Sequence, residues 1–218
     1  MPHPEPRPEP WPALRRAAPL RRLRRAERRA QILAAATRAF ARTGYAATGL
    51  DDVAAEAGIT KVILYRHFES KADLYRAVLD RACGRLAETV GQDDFIADSV
   101  PALIRAAAAD PDGFRLLFRY AAREPEFRDQ MERLGAHSVD IARRHLADLT
   151  PEPDWAGWAA RLVPTVTIEA VIAWLDAGRP DPDQAAARIG QAVDGIINAA
   201  RPRRLTAAGT DPEKMGET

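Results

Sequence analysis

Apolar residues recur at helical spacing along most of the chain, and the interruptions between these stripes mark the elements. Ile32, Leu33, Ala36, Ala39 and Phe40 form one face of a helix over about 24–42, which Gly44 and Tyr45 close. Val53, Ala54 and Ala57 give a shorter stripe over 50–57, with Asp51 and Asp52 in its opening turn, where the positive end of the macrodipole favours acids. Gly58 stands where that helix must end in a left-handed conformation that strains other residues. Thr60 can then cap a second helix, which Phe68 ends. Ser70 and Asp73 supply a capping box for a longer helix through Leu74, Val78, Leu79 and Leu86 to about residue 90.

The second half is helical throughout. Phe95, Val100, Leu103 and Ile104 predict a helix to about 109, and Asp110-Pro111-Asp112 starts another carrying Phe114, Leu117 and Phe118. After Glu124-Pro125, Phe127, Met131, Leu134, Ile141 and Leu146 predict a long helix to about 149, with Pro151 and Pro153 in a linker. Trp155, Trp158, Leu162, Val166, Ala170 and Trp174 predict a helix over 155–177, kinked at Pro164. Ile189, Val193, Ile196 and Ile197 mark the last, over 182–200. With β-branched runs scarce, the fold class is all-α: an arm over 1–23, a three-helix head over 24–70, a helical body over 71–200 and a tail over 201–218. Seven prolines among the first 19 residues make the arm a disordered, partly polyproline II segment, and the tail is expected to be disordered too.

Charge sharpens this division. The net charge of +1 conceals 17 Lys plus Arg against 10 Asp plus Glu in residues 1–90, or +7, and 15 against 21, or −6, in the remainder. A basic first part joined to an acidic second suggests that only the first meets a polyanion. Arg15, Arg16, Arg21, Arg22, Arg24, Arg25, Arg28 and Arg29 crowd the approach to the first helix, and arginines that neutralise phosphates release counterions. No apolar run approaches the roughly 20 residues of a bilayer span, so a soluble, cytoplasmic protein without membrane contact is expected. Cys83 is the one cysteine, which excludes an intrachain disulfide or a cysteine-cluster zinc site. Phosphate-loop, HExxH and GxSxG runs are absent, and no carboxylate completes a zinc signature with His137 and His145. The expectation is a non-enzyme with no cofactor and no metal.

Two short helices meeting at a glycine turn have the spacing of a helix-turn-helix, whose second helix enters the DNA major groove. More specifically, Phe40, Gly44-Tyr45, Thr48, Val53-Ala54, Ala57-Gly58-Ile59, Leu64-Tyr65, His67-Phe68, Lys71 and Leu74 together resemble the DNA-binding head of the TetR family of transcriptional regulators, over about residues 26–78. The resemblance implies that Lys61, Val62, Ile63 and Tyr65, behind the Thr60 cap, face the major groove. Lys61 can donate to guanine N7 and O6, and Val62 and Ile63 can touch a thymine methyl. Thr48, Arg66, His67 and Lys71 match positions near the DNA backbone, where donors set register without reading sequence. Packing within the head is the competing role for Ile63 and Tyr65. Many relatives carry glycine where Val62 stands, a small hydroxyl residue at Ile63 and a hydroxyl residue at Gly49, so no base preference carries over.

The body matches no motif. By analogy with the family it holds an effector pocket among its middle helices, with Leu103, Phe114, Phe118, His137, Ile141, Trp158 and Val166 as candidate lining and His137 or Arg119 as a polar anchor. Plain core packing competes for each. The last two helices would pair with their copies in a homodimer. Val166, Ile168, Val171, Ile172 and Leu175 wrap more than one face of their helix, which supports a partner. These expectations describe a homodimeric repressor that binds a palindromic double-stranded DNA operator and is released by a small, largely apolar effector. The alternatives are an effector-independent or activating regulator, and an architectural DNA binder led by the arginine arm.

Overall fold

The computed structural model describes residues 25–91 and 99–201. The arm with its arginines up to Arg24, Phe95, and residues 202–218 lie outside these. All regular structure among the described residues is helical. Three elements build the head: α1 (Arg25–Ala47), α2 (Leu50–Glu56) and α3 (Lys61–Tyr65). Ile32, Leu33, Ala36, Ala39 and Phe40 of α1 are buried, and Gly44, at φ 80°, breaks the helix as its position suggests. Glu56 of α2 accepts from both Arg38 and Arg42 of α1 at 2.8 and 2.7 Å, and Gln31 donates to the Ala57 carbonyl at 2.9 Å. Gly58 takes φ 63° and Thr60 caps α3 by accepting from Ile63 N–H at 3.4 Å. The tight turn and the polar ties to α1 therefore hold α2 and α3 in one orientation.

α4 (Lys71–Val90) belongs to both head and body. Ser70 caps it through Asp73 N–H at 3.0 Å, while the Asp73 carboxylate reaches one residue further back than a capping box requires, accepting from Glu69 N–H at 3.1 Å. Leu74, Tyr75, Val78 and Leu79 pack on α1, and the same apolar core continues without a break into Leu116, Leu117, Ala121, Phe127 and Met131. Tyr75 is its centre: its ring lies 4.9 Å from Phe40, 4.8 Å from Tyr45 and 4.6 Å from Phe127. Tyr45 also donates to Glu126 at 3.2 Å. This joint seats the head on the body.

The body comprises α5 (Ser99–Ala109), α6 (Pro111–Arg115), a π-helical turn (Leu116–Tyr120), two 3-10 turns (Ala121–Arg123 and Pro125–Phe127), α7 (Arg128–Leu146), α8 (Pro153–Asp176) and α9 (Pro182–Ala200). α7 stops short of the expected residue 149, where Thr150 N–H closes a turn on the Leu146 carbonyl. Pro153, expected in a linker, is the first residue of α8, a position where the missing N–H costs nothing. α8 runs on through the buried Pro164. Its length and a mean hydropathy of 1.3 would suit a membrane span, and half of that apolar window is buried inside the protein between neighbouring helices.

The packing of α5 and α9 corrects the expectation of a surplus apolar face on α8. Val171, Ile172 and Leu175, taken as apolar surplus awaiting a partner, are buried within this chain together with Trp174 against Val100, Ile104 and Phe114 and against Ile189. α5 and α9 consume that surface. Only Val166 and Ile168 of the five remain half-exposed.

Candidate nucleic-acid interface and effector cavity

α3 owes its orientation to one inward residue. Leu64 is fully buried, which turns Val62, 63% exposed, and Tyr65, 50% exposed, outward beside Lys61. Thr60 and Arg66 are exposed at the two ends of the helix, and Ile63 is half-buried against the head, between the two roles open to it. The Lys61 ammonium is held by Asp51 of α2 at 2.8 Å. That hydrogen bond and the Asp51 charge raise the Lys61 pKa above its ordinary value, so the side chain stays a cation. Sequence reasoning assigned Asp51 only to the helix dipole. Its partner stands ten residues away across the turn, a pairing that no local pattern announces.

The flanking residues divide. Thr48, a backbone-contact candidate, is 2% exposed, with its hydroxyl donating to the Gly44 carbonyl at 2.6 Å and lying 2.7 Å from the Thr43 hydroxyl. Its side chain closes the end of α1 and does not reach the surface, because the Gly44 break folds it inward. Lys71 spans both roles: its ammonium donates to the Ala46 carbonyl at 3.3 Å and lies 4.5 Å from the Tyr45 ring centre, yet it remains half-exposed. His67 is half-buried, and its carbonyl accepts from Arg29. Burial first, then the charges of Arg25, Arg29 and Arg28, hold its imidazole below the usual histidine value. Those arginines, read from sequence as the end of the arm, stand on the opening turns of α1 next to the end of α3, with Arg29 stacked 4.3 Å over Phe68. Two helices thus bring one basic, partly apolar surface together.

In the body, a cavity of about 290 Å3 opens among α4, α5, the π turn, α7 and α8. Leu103, Phe118, His137 and Ile141, all expected from sequence, line it. Cys83, Leu86, Ala87 and Val90 of α4, Leu134 and Ser138 of α7, and Pro164, Thr167 and Ile168 of α8 complete most of the wall. Among the described residues, none that lines it carries a fixed charge. His137 is exposed and so stands at the rim. Burial, and then Asp80, push the Cys83 thiol pKa up, which leaves it protonated and apolar in character.

Four expected lining residues lie elsewhere. Phe114 is buried in the core between α5, α8 and α9. Arg119 turns to Asp176 at 2.8 Å, which Arg115 also grips at 3.0 Å, so it offers the cavity no anchor. Trp158, 40% exposed, lines a separate open groove with Arg143, Arg161 and Leu162. Val166 lies outside the cavity wall, on the turn of α8 between Leu162 and Ala170. The alternation of apolar positions located the right helices and could not say which face of α8 met the cavity.

Residues 32–78 match the family model described as bacterial regulatory proteins, tetR family. The chain is 33% identical over 175 residues to the HTH-type transcriptional activator FasR of Mycolicibacterium smegmatis, covering 75% of this chain and 80% of that protein. It is 32% identical over 136 residues to the HTH-type transcriptional repressor SCO4008 of Streptomyces coelicolor, covering 58% and 71%. Among solved structures, a TetR-like transcriptional regulator from Rhodococcus sp. RHA1 superposes with a TM-score of 0.70 at 21% identity, over 79% of this chain and 96% of that one. The fold, the head and the similarity over three quarters of the chain agree: this chain belongs to the TetR family of DNA-binding transcriptional regulators and is not an enzyme.

Proposed function

We propose that the protein is a homodimeric, ligand-responsive repressor that acts in the cytoplasm on a palindromic operator. Lys61, Val62 and Tyr65 read base edges, Ile63 supports them, and Arg66, His67, Lys71 and the α1 arginines meet the backbone. Two copies would set two α3 helices about one DNA turn apart, or a multiple of it. The stripe Leu162, Val166 and Ala173 on α8, and Ala192, Gly195 and Ala199 on α9, small or apolar and partly or fully exposed, supports pairing through these helices. Sedimentation at micromolar concentration tests this: a Val166→Asp, Ala192→Glu chain should run as a monomer and the native chain as a dimer.

The observation that carries the ligand reading is the shared helix. α4 packs on α1 through Leu74 and Val78 and, two turns later, walls the cavity through Cys83, Leu86 and Val90. A molecule that fits the cavity better in one tilt of α4 moves both heads, and by linkage weakens DNA as strongly as DNA weakens it, commonly by about 5- to 150-fold. The uncharged side chains that form the described wall, with a histidine at the rim, suit a small, neutral, largely apolar effector. Selection of bound sequences from random duplexes, followed by titration of the selected duplex with neutral hydrophobic compounds, tests both halves. An unenriched pool favours the architectural reading, and a selected duplex unaffected by any compound that occupies the cavity removes the effector. An activating role is favoured by one observation, that the 33%-identical relative is named a transcriptional activator, and a reporter downstream of the selected site decides the sign.

A further inference from the structure

We infer that Asp51 is a specificity-determining positioning residue, which holds the Lys61 ammonium against α2 so that Lys61 is spent on a base edge and not on whichever phosphate lies nearest. The inference rests on α3 being the reading helix. Three observations lead to it. First, Asp51 is not occupied with capping its own helix, because the neighbouring Asp52 accepts the Gly49 N–H at 2.8 Å. Secondly, its side chain is 75% exposed, and its carboxylate meets Lys61 Nζ at 2.8 Å, on the helix that also exposes Val62 and Tyr65. Thirdly, Lys61 is the first residue of α3, so the pair bridges the turn and fixes the ammonium at the leading end of the reading helix.

An acid on a face that meets a polyanion opposes binding, and an exposed ion pair contributes little to folding. Its effect is therefore expected in discrimination. Every lysine that neutralises a phosphate adds about 0.9 to the slope of log affinity against log salt, whatever the sequence. A lysine already neutralised by Asp51 adds little to that term. Transfer of the ammonium from Asp51 is favourable only where guanine N7 and O6 offer two acceptors together. Asp51 thus lowers non-specific affinity while leaving cognate affinity nearly intact, which raises their ratio.

The test compares the full chain and its variants on a mixed-sequence duplex and on a selected duplex, across a salt series. Asp51→Asn should steepen the salt slope on the mixed duplex by about 1 per head and tighten that binding about three- to tenfold at moderate salt. Affinity for the selected duplex should change less than about twofold, so selectivity falls. Asp51→Glu should restore the wild-type slope, and in a Lys61→Ala background Asp51→Asn should no longer steepen it. An unchanged slope in an Asp51→Asn chain of wild-type melting temperature overturns the inference. So does equal steepening with Lys61→Ala, which would mean simple loss of repulsion. If Lys61→Ala alone weakens the selected duplex while Asp51→Asn does nothing, only this inference falls; if Lys61→Ala is silent on both duplexes, the reading helix falls with it.

Discussion

Replacing Tyr75 by phenylalanine should stabilise the protein. Tyr75 is fully buried, and its hydroxyl has no hydrogen-bond partner among the described residues. Burial, and then the charge of Glu124, push its phenol pKa well above the usual tyrosine value, which marks an environment hostile to the anion. A buried hydroxyl without a partner costs about 1–3 kcal/mol relative to water. Removing the oxygen vacates on the order of 10 Å3, worth about 0.2 kcal/mol at the rate measured for cavities. The three ring contacts to Phe40, Tyr45 and Phe127 are kept, because phenylalanine fills the same plane. The balance is a gain of about 1–3 kcal/mol, or about 2–11 °C in melting temperature for a chain of this size. Urea unfolding followed by circular dichroism, at one fixed protein concentration because a dimer's stability depends on it, should show a higher midpoint with an unchanged slope. A lower midpoint would refute the reasoning, since it would mean that the hydroxyl is satisfied and contributes to the joint.

Three further outcomes follow from the same packing and electrostatics. Phe127→Ala should cost about 3–5 kcal/mol in the same assay, because a ring 2% exposed is lost from the joint; a cost below about 1 kcal/mol would show that the body does not seat on the head there. Ellman's reagent should label Cys83 more slowly than a free cysteine peptide at pH 8 and gain rate only as pH rises beyond the usual thiol range, because burial raises that pKa; equal rates would contradict the buried wall. Glu56 is held below its usual 4.5 by hydrogen bonds from Arg38 and Arg42, so its contribution to stability is present above pH 4.5 and lost as pH falls through the lowered value. Glu56→Gln should accordingly flatten the acid limb of a stability profile below pH 4.5 and leave the pH dependence near neutrality unchanged.

The head was legible because its signals are local. Gly44 and Gly58 stop their helices through their own left-handed backbone, Thr60 and Ser70 cap within three residues, and Leu64 and Phe68 turn inward one helical turn apart. Where the outcome depended on groups far along the chain, the sequence pattern pointed elsewhere: Arg119 looked like a cavity anchor until Asp176, 57 residues on, captured it. Thr48 differs in kind, because its hydroxyl is taken by the nearby Gly44 carbonyl and Thr43 only once the Gly44 break turns the chain. The surplus on α8 was real as a pattern, and α5 and α9 buried it.

From the sequence alone came the helix periods, the breaks, the caps and the head motif, all properties of residues within a turn or two of each other. The tertiary structure decided which faces were covered. It pairs Asp51 with Lys61 across a turn, seats the head on Tyr75 and Phe127, and leaves a cavity where α4, α5, the π turn, α7 and α8 fail to close. Helical periodicity records that a face is apolar; whether that face meets a core, a ligand or a second chain is settled by the distant elements that compete to bury it.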